Sequence, residues 1–160
     1  MIFDETRHAL KTEKIFHEQG IDVKLVAPPM RFRLGCDLAV MVDIMEKPAL
    51  ERLLSSKGIP FVDIIPLDSD VCRPVSILKR VDYDEATMIK AANMKMVFNR
   101  STGRIVNISG GGCPDVPYLY SSLVNKHLNE VERPARLGFT LCAMMLDKAF
   151  IECRRVYNGD

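Results

Sequence analysis

Glycine and proline punctuation divides the first half of this chain into short segments of alternating period, and that alternation leaves few folds open. Residues 6–19 place Ala9, Leu10, Ile15 and Phe16 at the helix period, with Asp4 or Thr6 positioned to cap the start and Gly20 to end it. Ile21-Asp22-Val23-Lys24-Leu25-Val26 then alternates as a half-buried strand does, until Pro28-Pro29 breaks it. Residues 37–42 read as a buried strand. Residues 47–57 read as a helix, with Pro48 in its first turn and Gly58 as its stop. Residues 61–65 form another apolar run, and residues 1–3 a short first strand. The order β-α-β-β-α-β predicts a ferredoxin-like unit of the α/β (α+β) class over residues 1–68.

The second half has a different texture. Asp68-Ser69-Asp70 and Pro74 open a linker over residues 69–82. Residues 83–98 are rich in Ala and Met and predict a helix. A strand at 104–108 and a triple glycine follow, then helices at 115–129, with Pro117 in the first turn, and at 133–157. The expectation for 83–160 is therefore a mainly helical region carrying one glycine-rich loop.

A chain of 160 residues buries a core without staples. Its net charge of +1 and the absence of tryptophan argue against nucleic acid as a partner. No apolar run approaches a membrane span, so no membrane partner is expected. The N-terminus enters a charged helix directly, without a signal-peptide pattern, and the expected location is the cytoplasm. Nine methionines and a near-zero charge favour a protein complex or a homo-oligomer. Five cysteines occur, Cys36, Cys72, Cys113, Cys142 and Cys153, with no Cys-x-x-Cys pair, so neither a zinc ribbon nor a thioredoxin-type motif is indicated. All five read as thiols in a reducing compartment.

Two cysteines stand where chemistry is plausible. Cys36 ends the loop that holds Arg31 and Arg33 and precedes a strand. The arginines would lower its pKa and Asp37 would raise it; the alternative is a small buried residue at a strand start. Cys113 follows Gly110-Gly111-Gly112 and precedes a helix. Three glycines allow close backbone approach, and their N–H groups with the helix start make an anion nest that favours a thiolate. The alternative is a tight turn with Asp115 as cap. The loop is neither a P-loop nor a dinucleotide fingerprint, because no Gly-Lys-Ser/Thr follows and the glycine spacing differs. Cys142 and Cys153 fall on an apolar stripe with Leu146, Ala149 and Tyr157 and read as core. Cys72 sits in the linker. Met88, Met94, Met96, Val97 and Phe98 read as core, the alternative being a partner groove, and His17 and His127 join no local motif.

Thr6-Arg7-His8-Ala9-Leu10-Lys11-Thr12-Glu13-Lys14, then Gly20-Ile21-Asp22-Val23, then Cys36-Asp37-Leu38-Ala39 resembles the selenium/sulfur carrier-like family over roughly residues 1–68. That family has a serine run and Cys-Gly before its strand; here arginines replace the serines, Gly35 precedes the cysteine and Asp37 follows it. The resemblance implies sulfur or selenium held on Cys36, with His8 at the helix start as an anion-binding or orienting group, against a plain surface residue. The expected function is an accessory protein that carries sulfur or selenium through Cys36, with Cys113 as a further thiol. Its cofactor would be a persulfide or a shared iron–sulfur cluster of unspecified metal ligation. Its partners would be sulfur donor and acceptor proteins or metalloenzyme assembly factors. The alternatives are a subunit of a metalloenzyme maturation complex and a Cys113-dependent enzyme with the glycine loop as oxyanion site.

Overall fold

The computed structural model describes residues 1–29, 32–33, 37–67 and 75–159. The chain divides into two compact units, Met1–Ile77 and Leu78–Asp160. Both mix helix with antiparallel sheet.

In the first unit, α1 (Thr6–Glu18) buries Ala9, Thr12 and Phe16. Glu5 occupies its N-cap without a side-chain bond, so neither Asp4 nor Thr6 caps it. Gly20, at positive φ, follows the last turn. β1 (Lys24–Ala27) pairs antiparallel with β2 (Ala39–Met41), Leu25 opposite Val40. A short 3-10 turn, Ile44–Glu46, is capped by the Asp43 carboxylate, which accepts from the Met45 N–H. It leads into α2 (Lys47–Ser56), which buries Leu50 and Leu54. β3 (Val75–Ser76) pairs antiparallel with the other edge of β1. Two of the expected strands shrink to single bridges: Ile2 lies antiparallel to both Ala39 and Asp63. The Ile2 N–H donates to the Asp63 carbonyl and the Val62 N–H to the Ile2 carbonyl, each at 2.8 Å. An apolar cavity of about 300 Å³ lies beside this pairing, lined by Ile2, Val26, Val40, Ile64 and Leu67 among others.

The second unit corrects the expectation of a mainly helical region. Residues 83–98 are a hairpin. β4 (Leu78–Asp82), β5 (Ala86–Ala91), β6 (Met94–Asn99) and β7 (Ile105–Ser109) form one antiparallel sheet in that order. The described part of the expected linker, 75–82, is thus largely strand. Thr87, Ile89 and Ala91 on β5 and Met94, Met96 and Phe98 on β6 are buried, while the residues between them are not. This is the period-2 pattern of a sheet with one covered face. The covering element is α5 (Leu141–Asn158), which packs on β5 and β6. The hairpin turns through Ala92 at φ 50° and Asn93. A non-glycine residue in the left-handed region is uncommon, which is why this turn is invisible in the sequence.

The other two helices are shorter than expected. α3 (Val116–Leu123) ends because Val124 is extended, and the chain then follows the start of β7: the Asn125 N–H donates to the Ile105 carbonyl and the Ile105 N–H to the Lys126 carbonyl. The single helix expected at 133–157 is two, α4 (Pro134–Leu137) and α5, parted at Gly138-Phe139-Thr140. The break is tertiary in origin. The buried Asp115 carboxylate accepts from the N–H groups of Phe139 and Thr140, each at 3.1 Å, and from the Thr140 hydroxyl at 2.6 Å. Thr140 in turn caps α5 by accepting from the Ala143 N–H. Arg133 grips the buried Asp147 with two nitrogens, fixing α4 against α5.

A candidate dithiol site at the start of helix α5

Cys36, Arg31 and Cys72 lie outside the described residues. Arg33 is half-buried, and its Nε donates to the Pro28 carbonyl at 2.7 Å. His8 is half-buried on α1; its Nδ1 and the Oγ1 of Thr12, one turn on, are buried without hydrogen-bond partners.

The glycine loop is fully described, and it closes over a second thiol. Cys142, the second residue of α5, is brought beside Cys113, because Gly111 packs on the Cys142 sulfur and Asp115 is hydrogen-bonded to Thr140. Cys113 is half-exposed, whereas Cys142 is only 2% exposed. Two of the three glycines are required for this. A Cβ on Gly110, whose φ is 94°, would stand 2.0 Å from the Asn93 carbonyl oxygen in the β5–β6 turn. One on Gly111, at φ 70°, would stand 2.6 Å from Cys142 Sγ and 2.7 Å from Met94 Sδ. Gly112 meets nothing. The loop can therefore lie flat on the hairpin turn and on the two sulfurs only without side chains at 110 and 111.

The two thiols are electrostatically unequal. The Cys142 thiol, donating to Cys113, holds the Cys113 pKa below the ordinary thiol value; burial opposes this, the Thr140 hydroxyl and the Cys142 backbone N–H reinforce it, and the Asp115 carboxylate opposes it. Burial pushes Cys142 the other way, and the neighbouring Cys113 sulfur adds to the rise, against the N–H groups of Cys113 and Gly112. Of the two, Cys113 therefore gives up its proton the more readily and Cys142 keeps its own. Asp115 itself is pushed up by burial, but the Thr140 hydroxyl and the Thr140 and Phe139 N–H groups outweigh this and hold its pKa below the carboxylate range. The arrangement supplies a half-exposed thiol of lowered pKa with a covered thiol behind it.

Cys142 was not visible in the sequence as a functional residue. It reads as core and is core, and its partner is 29 positions away. The only local signal is its place beside the Thr140 cap. Cys153 is buried as expected, and burial pushes its thiol far up. His127 has both ring nitrogens engaged. Nδ1 accepts from the Asn129 N–H at 3.1 Å, so Nε2 carries the proton and donates to Tyr157 Oη at 3.4 Å. It is thereby committed away from the role of base to a Cys113 nucleophile. Among the described residues, no group of three or more His, Cys, Asp or Glu side chains is placed to hold a metal ion. No helix among them is long and apolar enough to cross a membrane.

Residues 77–160 match the family model described as Domain of unknown function (DUF8182), which spans the whole dithiol site. The chain belongs to this family. Residues 1–66 match a second model, described as "Putative Se/S carrier protein-like". An uncharacterized protein of Methanocaldococcus jannaschii is 38% identical over 151 residues, which cover 92% of this chain and 76% of the relative. No solved structure matches. The expected likeness of the first half to the selenium/sulfur carriers thus holds at the level of family.

Proposed function

We propose that this protein carries sulfur or selenium on cysteine thiols, receiving the atom from one protein partner and passing it to another. The observation that carries the reading is the half-exposed Cys113 thiol delivered by the glycine loop. A chalcogen carrier needs a thiolate reachable from outside, and Cys113 is half-exposed and biased toward the thiolate. The carrier-like match over residues 1–66 supports the same chemistry and points to Cys36 as a second carrying thiol. The pairing order of the first unit, Asp63 beside Ile2 beside β2 beside β1, fits a pared-down ferredoxin-like scaffold for that thiol. Transfer proceeds by thiol exchange: the carrier thiolate attacks the outer sulfur of a donor persulfide, the donor leaves as its thiolate, and the carrier is left as a persulfide.

The test is intact mass spectrometry after incubation with a cysteine desulfurase and cysteine, with Cys36→Ala and Cys113→Ala variants alongside. At the earliest times a species about 32 Da heavier, one sulfur atom, is expected on Cys113, with a second on Cys36. Unmodified mass in every sample would overturn the reading. Loss of the heavier species only in Cys36→Ala would move the function to the first unit.

A further inference from the structure

We propose that Cys113 and Cys142 are a carrying and a resolving thiol, and that the pair discharges a bound sulfane sulfur as sulfide by closing to a disulfide. This rests on the carrier reading but assigns a distinct reaction to the second unit. A one-thiol carrier requires isolation: any second thiol beside the persulfide attacks it. Here the second thiol stands beside the first, between the Gly111 packing on its sulfur and the Asp115–Thr140 bonds. The fold keeps it there. Gly111 admits the loop against the Cys142 sulfur, Asp115 binds the Cys113 side of the site to the start of α5, and Thr140 caps the helix on which Cys142 stands.

The exposure of the two sulfurs divides the roles. Cys113 is half-exposed and open to an external donor, whereas Cys142, 2% exposed, is closed to one. In the first step the Cys113 thiolate attacks the outer sulfur of a persulfide or polysulfide, and the donor leaves with the electron pair of the broken S–S bond. In the second, Cys142 loses its proton and attacks Cys113 Sγ. A Cys113–Cys142 bond forms, the bond to the outer sulfur breaks, and that atom leaves as HS⁻. The sulfane sulfur is reduced by two electrons and the two thiols are oxidised by two. The disulfide is then reset by an external dithiol. The same steps with a selenium atom release hydrogen selenide ion. The substrate class is thus a sulfane sulfur or its selenium counterpart, and the product is the free chalcogenide.

The experiment uses the full chain, reduced, freed of small thiols and treated with inorganic polysulfide. Released sulfide is measured with time, and peptide mapping locates each modification. The wild-type protein is expected to release about one sulfide per chain and to end with Cys113 linked to Cys142, about 2 Da lighter than the reduced form. Cys142→Ser is expected to keep the additional sulfur on Cys113 and to release sulfide at least about tenfold more slowly. If the wild-type protein holds the sulfur on Cys113 as long as Cys142→Ser does, the resolving role is wrong and the carrier reading stands. If Cys113 takes up no sulfur in any sample, both fall. A separate titration of the wild-type protein in mixtures of reduced and oxidised dithiothreitol, trapped by alkylation, removes dependence on the variants. It is expected to show a reversible 113–142 disulfide, and its absence across the whole range would overturn the proposal.

Discussion

The two units build antiparallel sheets of very different depth. In the first, β1 and β2 span four and three residues, β3 two, and the outer pairings at Ile2 and Asp63 are single bridges. In the second, β5 and β6 each span six residues with strict alternation of buried and half-exposed positions, and an 18-residue helix covers the buried face. Antiparallel register is fixed by each added pair and by one covered face, so the second sheet holds its ends to a tighter geometry. It is at an end of that sheet, beside the β5–β6 turn, that the glycine loop brings Cys113 to Cys142. The difference teaches that the deep sheet positions reactive groups contributed by distant segments, whereas the described part of the shallow one mainly encloses apolar surface.

The sharpest way to strain that contrast is to empty the core of the shallow unit. Phe16 is a fully buried residue of α1, and Phe16→Ala removes a ring that short strands have little means to replace. The expected cost is about 3–5 kcal/mol, read by segment-resolved hydrogen exchange as lost protection across α1, β1 and β2. Protection that stays unchanged there would show the first core to be more robust than its sheet suggests.

The loop glycines come next, and they test the deep unit. Gly110→Ala puts a Cβ against the Asn93 carbonyl and holds alanine at a φ of 94°, so a cost of about 3 kcal/mol is expected in urea unfolding. Gly112→Ala, with open space around it, should change stability by less than about 0.5 kcal/mol. Equal costs at the two positions would mean that the loop does not depend on close approach to the hairpin turn.

These glycines also show what the sequence discloses and what it hides. The loop stands out because three consecutive glycines have few explanations, and the Cys113 it delivers is where the site lies. The elements around it are hidden. Residues 83–98 carry the Ala and Met of a helix, yet Thr87, Ile89, Ala91, Met94, Met96 and Phe98 recur at a period of two, and the period wins because each buries on one face. The turn at Ala92-Asn93 lacks the glycine that would announce a hairpin. The break at Gly138 depends on Asp115 reaching across from another segment, and the Cys113–Cys142 contact depends on that break. In the first unit the reverse holds. Its helices follow their apolar period and their glycine stops and are legible almost to the residue, while its strands shrink because pairing, not composition, sets their length.

A smaller effect is expected at Asp115. Removing its carboxylate in Asp115→Ala leaves two N–H groups and a hydroxyl without their acceptor, at about 2 kcal/mol. Because its folded pKa is lowered, the unfolded chain takes up the proton first as pH falls. Its stabilisation is complete above the ordinary carboxylate pKa and disappears as pH drops through the lower folded value. The urea midpoints of wild type and Asp115→Asn should therefore converge on acidification, and a constant gap would assign the effect of the carboxylate to something other than its charge.

The smallest effect in energy is the most informative about the thiols. Iodoacetamide consumes thiolate, so its rate with each cysteine follows exposure and pKa together. Cys113 is expected to react first among the three described cysteines, and Cys153 only on unfolding. Cys142→Ala removes the donor that contributes most to the lowered pKa of Cys113, so the midpoint of the Cys113 rate profile should move to higher pH. Well below that midpoint the rate should fall by about three- to tenfold, since one pKa unit is a tenfold change in thiolate. Well above it both proteins are fully ionised, and their rates should come together. A uniform slowing at all pH values would instead mean that Cys142 supports the loop sterically. The sulfur contact would then be packing, and the deep sheet would have no advantage over the shallow one as a platform for chemistry.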